Sequence, residues 1–155
     1  MTPNPTPITG QEVDIDVATP EGALAEFYRA FNGRDLVLME QNWDPSDEAS
    51  MDNPLGGIRR SWSQIRPTYA GLFGGGARVE VEFFDFTLHS LGEGFIAVGR
   101  ERGALTHGDE RLELAIRTSR TFRWAGVRYR QLHHHGSIDD ADLLARYQSA
   151  AKAKG

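Results

Sequence analysis

The chain contains no cysteine among its 155 residues, which excludes disulfide bonds, thiol nucleophiles and cysteine-ligated zinc. No apolar run approaches the roughly 18 residues that a membrane-spanning helix needs, so we expect no membrane segment. Residues 1–17 lack the basic start and the apolar stretch of a secretory signal, and the default expectation is therefore a cytoplasmic protein. The length is close to that of one ordinary domain.

Lysine is nearly missing as well. Lys152 and Lys154 are the only lysines among 17 basic residues, so almost every cation is an arginine. Arginine suits the planar, bidentate capture of carboxylate or phosphate, although genomic base composition explains the same bias. The formal net charge of −5 argues against a nucleic-acid partner.

The order of local patterns predicts one domain over residues 18–155, preceded by a disordered, solvated arm at residues 1–17 that carries three prolines. Thr19, Pro20 and Glu21 have the residue types of a helix start, in which Thr is the N-cap and Pro the first helical residue. The further predicted helices and a short strand cover residues 34–42, 49–52 (the strand), 61–73 and 140–151.

Four β-like segments lie between the last two helices, at residues 78–89, 95–106, 111–124 and 127–138. The alternation of apolar residues changes phase at Phe83 and Phe84, which predicts a β-bulge that bends the sheet. Helices followed by a long, bent antiparallel meander predict the α+β fold class.

A two-residue turn at Ala125 and Gly126 would pair Trp124 with Val127, and this register decides which side chains face the core. Arg100 is expected to continue the inward face of the preceding strand, whereas Glu101 falls on the outward face. Five polar residues of the last two strands share the predicted core face: Thr118, Arg120, Gln131, His133 and His135.

A buried, unpaired charge is expensive, so this inward polar set needs partners. One interpretation is internal ion pairing with Asp52, Asp85 or Glu26. The other is a polar pocket for a small anionic or polar molecule, with Trp43 and Tyr69 as aromatic candidates for its walls.

The segment Tyr129–Ser137 follows an arginine-bearing strand and resembles the closing strand of the nuclear transport factor 2-like superfamily. The most similar pattern is that of the SnoaL-like group, which is related to the association domain of calcium/calmodulin-dependent protein kinase II. His133, His135 and Ser137 match that domain's histidine and serine string, and Arg120 lies at the same distance before the aromatic residue as a pocket arginine there. The resemblance covers roughly residues 19–138.

This resemblance implies a cone in which a curved antiparallel sheet wraps around the N-terminal helices and encloses one cavity. It also implies a homodimer that forms through the outer face of the sheet. Members of the superfamily include isomerases, dehydratases, epoxide hydrolases, polyketide cyclases and binding proteins without catalysis, so the fold alone leaves the function open. Nothing in the pattern implies a cofactor, and His133 and His135 have no evident third ligand for a metal.

Three hypotheses stay open. The first is a small-molecule binding protein that uses Arg100, Arg120, His133 and His135. The second is a lyase or isomerase in which Asp52 or Asp85 is the base, His133 its acid–base partner and Tyr28 a hydrogen-bond donor. The third is a dimerisation module without catalysis.

Overall fold

The computed structural model describes residues 1–152, which form an α+β domain. In chain order the elements are α1 (Pro20–Asn32), α2 (Leu36–Asn42), β1 (Ser50–Asp52), β2 (Arg59–Arg60), α3 (Trp62–Gly74), β3 (Arg78–Ser90), β4 (Gly94–His107), β5 (Glu110–Trp124), β6 (Tyr129–Ser137) and α4 (Ala141–Lys152). Within the described range, none of the helices combines the length and apolar composition of a membrane span.

Local sequence signals place most of these boundaries. The Thr19 hydroxyl accepts a hydrogen bond from the Gly22 amide at 3.0 Å, and Pro20 begins α1 as its residue type predicts. Helix α3 begins at Trp62 and continues through Pro67, in agreement with the predicted range of 61–73. The two-residue strand β2 carries no pattern that could have predicted it.

The six strands form one sheet in the order β2-β1-β6-β5-β4-β3. Strand β1 runs parallel to β6, and the other neighbours are antiparallel. The curved sheet packs one face, the inner face, against α1 and α3, and buried aromatic and aliphatic side chains fill the space between them. Most side chains on the opposite, outer face are exposed or half buried. The predicted α+β class, with helices followed by a curved sheet, is confirmed, and the sheet is antiparallel except where β1 pairs with β6.

A bulge bends β3 close to the predicted position. The pairing of β3 with β4 shifts between Phe84 and Thr87, and Asp85 in the gap has a φ of 49°. Asp tolerates this left-handed backbone conformation better than most residues because its short polar side chain can hydrogen-bond locally.

The hairpin between β5 and β6 differs from the two-residue turn that the sequence suggested. Its loop spans residues 125–128, closed by a 2.7 Å hydrogen bond from the Ala125 amide to the Arg128 carbonyl, and Trp124 pairs with Tyr129. Further along, Gln131 pairs with Phe122 but His133 pairs with Thr121. One extra residue, Leu132, is therefore inserted into β6.

This insertion decides which histidines face the core. A shift by two residues preserves the alternation of faces, so Gln131 stays on the inner face as predicted. A single inserted residue reverses the alternation for everything that follows. His134 is consequently buried, whereas His133 and His135 lie on the outer face.

The expectation that residues 1–17 form a disordered arm is wrong. Ile8 exchanges two backbone hydrogen bonds with Phe83, at 2.8 and 2.9 Å, and Asn4 donates one to Phe86 at 2.8 Å. Strand β3 is the last strand of the sheet, and the arm covers its otherwise unpaired edge. The Ile8 side chain is only 6% exposed, so it joins the core.

Replacing Ile8 by Ala should lower the free energy of unfolding by about 2–4 kcal/mol, because the substitution leaves a cavity against β3. Val13→Ala, in the same segment but at a side chain that is 86% exposed, is the matched control and should change stability by less than about 0.5 kcal/mol. Chemical denaturation of the two variants measures the difference. Equal stabilities would show that the segment does not contribute to the fold.

Candidate functional site

The inner face carries one fully buried cation. The Arg120 side chain, on β5, is 2% exposed and contacts three polar partners. Its Nε donates to the Tyr28 hydroxyl at 3.3 Å and its Nη1 to the Gln131 amide oxygen at 2.8 Å, and its Nη2 lies 3.5 Å from a carboxylate oxygen of Glu101. The inward positions predicted for Arg120 and Gln131 are confirmed, and Tyr28 is buried beside them.

Glu101 is the internal carboxylate that Arg120 requires, and its predicted outward position is wrong. Strand β4 buries Phe95 and Ala97, rather than Ile96 and Val98, on the inner face. All four residues are apolar, so the alternation alone could not select between the two phases. In the observed phase Glu101 is 5% exposed and accepts a 2.5 Å hydrogen bond from the hydroxyl of Thr118, which lies inward as predicted.

Aromatic rings enclose this ion pair. The Arg120 guanidinium lies 3.6 Å from the centre of the Phe27 ring, a cation–π contact in a water-excluded site. Trp43 and Tyr69 are buried nearby, with ring centres 6.3 Å apart. Burial raises the pKa of Tyr69 to about 12 and raises the pKa of Tyr28 well above its usual value, so both phenols keep their protons at neutral pH.

His134 is the imidazole of this site. Its Nδ1 lies 3.3 Å from the Ser119 carbonyl oxygen, which can only accept, so the Nδ1 carries the hydrogen and the Nε2 keeps a lone pair. Burial, followed by the charge of Arg120, lowers the pKa of His134 well below its usual value. The ring is therefore neutral near pH 7.

A cavity of about 40 Å³ lies between these groups, enough for one to a few water molecules. Arg120, Glu101 and His134 supply its polar wall, and Tyr147 from α4 closes it. The other lining residues are Phe27, Phe31, Asn53, Pro54, Thr68, Tyr69, Leu72, Val79, Val81 and Ile116. Tyr147 is the one side chain of α4 that is buried.

The predicted inward positions of His133 and His135 are wrong, and Asp52 accompanies them on the outer face. His135 Nδ1 lies 2.7 Å from Asp52 Oδ2, and the Ser50 hydroxyl lies 2.7 Å from His133 Nδ1. His133 Nε2 is 3.5 Å from the other Asp52 oxygen. The proposed acid–base set of Asp52, His133 and Tyr28 is therefore divided, because Tyr28 lies inside and the other two lie outside.

Arg100 is also on the outer face, contrary to the sequence prediction, because β4 has the opposite phase. Its Nε pairs with Asp85 at 3.0 Å, and both side chains are about half exposed. The structure thus unites Thr118, Arg120, Gln131, Tyr28, Trp43 and Tyr69 in the interior and separates Arg100, His133, His135 and Asp52 from them. Among residues 1–152 no group of three His, Asp or Glu side chains is arranged to hold a metal ion.

Three residues of the site were missed by the sequence analysis: Glu101, His134 and Tyr147. Only Glu101 had a usable signal, since an inward arginine demands a carboxylate on a neighbouring strand. The inserted Leu132 that turns His134 inward leaves no mark in the pattern, and neither does the packing of α4 that brings in Tyr147.

Comparison with known proteins gives the same fold. A provisionally described calcium/calmodulin-dependent protein kinase type II association domain from Thiobacillus denitrificans has 26% sequence identity and a TM-score of 0.70, covering 79% of this chain and 97% of that one. A provisionally described dehydratase of the NTF2-like family from Streptomyces avermitilis has 18% identity and a TM-score of 0.67, covering 77% and 92%.

An uncharacterised Caulobacter vibrioides protein with a cystatin-like fold has 16% identity and a TM-score of 0.64, covering 81% of this chain and 91% of that one. At 18% and 16% identity, the similarity to the Streptomyces avermitilis and Caulobacter vibrioides proteins concerns the fold alone. No curated protein matches the chain. The model of the SnoaL-like domain matches residues 21–141, which include β1 to β6 and the buried Arg120–Glu101 pair. The chain therefore belongs to the SnoaL-like family of the NTF2-like fold.

Proposed function

We propose that this chain binds a small molecule whose polar group reaches Arg120, Glu101 and His134 beneath helix α4. The observation that carries the proposal is the buried, loosely matched ion pair in the wall of a cavity. Burying such a pair costs several kcal/mol in desolvation that good geometry must offset, and apolar residues of similar volume often serve stability as well or better. A 3.5 Å contact is poor geometry for that purpose.

The weakest polar contact of Arg120 is the one that it makes in the wall of the cavity. Of its three polar partners, Tyr28 and Gln131 lie behind the cavity wall, whereas Glu101 lines the cavity and makes the longest contact. A ligand oxygen placed there would accept a stronger hydrogen bond from the guanidinium than Glu101 does now. The site thus offers a donor that needs no rearrangement of its own.

Charge balance favours an uncharged ligand group. The charges of Arg120 and Glu101 cancel, and His134 is neutral, so these polar groups of the cavity wall carry no net charge. A bound carboxylate would bring an additional buried negative charge beside Glu101. A carbonyl or hydroxyl group brings none and still accepts from the guanidinium, so we favour such a group over the anion that arginine content alone suggested.

The ligand must displace α4 to enter. Sites for small molecules usually have volumes of about 300–1,000 Å³, well above the present cavity. An open groove of about 1200 Å³ runs along α3 and α4, and it shares Thr68 and Leu72 with the cavity. Tyr147 of α4 lines the cavity and Gln148 of α4 lines the groove, so outward movement of α4 would join the two spaces.

Because the charge of Glu101 cancels that of Arg120, we expect Glu101→Gln to change which ligand groups the site prefers. This variant keeps the shape of the side chain but leaves Arg120 unbalanced, so it should bind small carboxylic acids at least ten-fold more tightly than the parent protein does. The parent should prefer ketones and alcohols of the same size. Calorimetric titration with both compound series measures the preference, and Glu113→Gln, at an exposed carboxylate of the same sheet, is the control.

Tyr147→Ala provides a second measurement if α4 closes too tightly for binding to be detected. Removing the ring enlarges the cavity and should permit binding of the uncharged compounds, whereas Tyr147→Phe should behave like the parent. If neither the parent nor Tyr147→Ala binds any compound of the series, the cavity is structural and the proposal fails.

The neutral His134 favours a second candidate function, proton transfer at carbon. His134 lines the cavity together with Arg120, and its Nε2 keeps a lone pair that could accept a proton from the carbon next to a bound carbonyl, while the guanidinium would stabilise the enolate that forms. This arrangement would serve isomerisation or elimination of water. In this candidate His134 is the base, in place of the Asp52 and His133 pair that the sequence suggested and that lies on the outer face.

This candidate predicts that the parent protein catalyses exchange of the hydrogens next to the carbonyl of a bound ketone with D2O. His134→Gln should retain ketone binding and lose at least 100-fold of the exchange rate, because the amide is not a base. Nuclear magnetic resonance of the ketone follows the exchange, and His89→Gln, on the outer face, is the control. Exchange that persists in His134→Gln contradicts the role of this imidazole.

The lowered pKa of His134 also predicts a loss of stability in mild acid. The unfolded chain binds a proton on this residue near pH 6.5 and the folded protein does not, so stability falls as the pH drops below about 6.5, by up to about 1.4 kcal/mol per pH unit. His134→Gln should lose less stability than the parent between pH 7 and pH 5. Parallel curves from urea denaturation across that range would contradict the buried neutral ring.

A further inference from the structure

Two arginines lie side by side on the outer face, across the sheet from the site beneath α4. Arg100 on β4 pairs directly across the strands with Arg117 on β5, and both side chains are more than half exposed. Like charges in directly opposed positions of a sheet are destabilising. Each arginine has a carboxylate neighbour that offsets part of this repulsion, Asp85 for Arg100 and Asp139 for Arg117, but neither carboxylate bridges the two cations as one bound anion would.

The two arginines line an open pocket of about 520 Å³, a volume within the usual range of small-molecule sites. We name it the outer pocket; the lining residues used below are Thr87, Arg100, Arg117, Ser119, His135 and Ser137. Three hydroxyl groups and one imidazole thus accompany the two cations. The sheet itself separates the outer pocket from Arg120.

The present partners of both arginines are weak and replaceable. Arg100 Nε contacts Asp85 at 3.0 Å, and Arg117 contacts Asp139 at 2.7 Å and the Ser137 hydroxyl at 3.3 Å. Ion pairs at this exposure contribute about 0–1 kcal/mol each, so an anion with more oxygens can replace them. Asp85 sits in the β3 bulge with its φ of 49°, which brings its carboxylate to the rim of the pocket.

We propose that the outer pocket binds the phosphate group of a phosphate monoester. Arginine forks match phosphate oxygens in a bidentate manner, and the hydroxyls of Thr87, Ser119 and Ser137 can donate to the oxygens that remain. A phosphate monoester offers three terminal oxygens and nearly two negative charges, whereas a carboxylate offers two oxygens and one charge. The donor set of the pocket fits the former.

Phenyl phosphate and inorganic phosphate are the probes, titrated into the full chain at low salt and followed by amide chemical shifts. Arg100→Gln and Arg117→Gln should each weaken phenyl phosphate binding at least ten-fold. Arg102→Gln is the matched control, because Arg102 has similar exposure and its own carboxylate partner, Glu82, but lies outside the pocket. This control should stay within two-fold of the parent, with shifts confined to β4, β5, residues 85–87 of β3 and the end of β6.

Three results would overturn the proposal. Equal weakening by all three substitutions would mean unspecific attraction to surface cations. Benzoate or malonate binding as tightly as phenyl phosphate would exclude phosphate as the preferred group. A chain that is dimeric in sedimentation, that dissociates in Arg117→Gln and that ignores phosphate would identify this face as a contact between copies.

Discussion

The guanidinium of Arg120 imposes a constraint that organises the inside of this protein. A cation without access to water needs a carboxylate, hydrogen-bond acceptors and polarizable walls, and Glu101, Gln131, Tyr28 and Phe27 supply them from β4, β6 and α1. Losing one partner of such a pair would leave the other charge buried alone, at a cost of about 3–5 kcal/mol. The same contacts therefore tie the sheet to the first helix and define the polar wall of the cavity.

The two faces of one sheet divide the chemistry of the chain. Inside, charges cancel and the imidazole of His134 is neutral, conditions that suit an uncharged ligand or a proton transfer at carbon. Outside, Arg100 and Arg117 are neighbours among hydroxyl groups, conditions that suit an oxyanion. Neither arrangement follows from family membership, because the NTF2-like fold carries many functions and the residues of each site have to be argued individually.

Small irregularities of the backbone produced this division. The extra residue Leu132 reverses the faces of the segment that follows it. His134 therefore lies in the interior, and His133 and His135 lie on the outer face. The β3 bulge likewise places Asp85 beside Arg100. Such bulges change the direction of side chains at the places where a sheet bends. Segment 129–137 therefore carries the histidine string that resembles the family, but His134 faces the cavity, whereas His133 and His135 do not.

Local chemistry in the sequence was sufficient for the fold class and for every described element except β2. The cap at Thr19 and Pro20, the apolar spacing of the helices and the four alternating segments depend on residues close together in the chain. The face on which each strand residue lies and the register between strands could not be predicted from local patterns. In β4, four apolar residues in succession permit either phase, and only the pairing of Glu101 with Arg120 across the sheet selects one. Similarly, Ile8 is buried because β3 has an unpaired edge, which no local pattern contains. The tertiary structure decided which polar groups meet, since the energy that fixes them comes from contacts between segments distant in the chain.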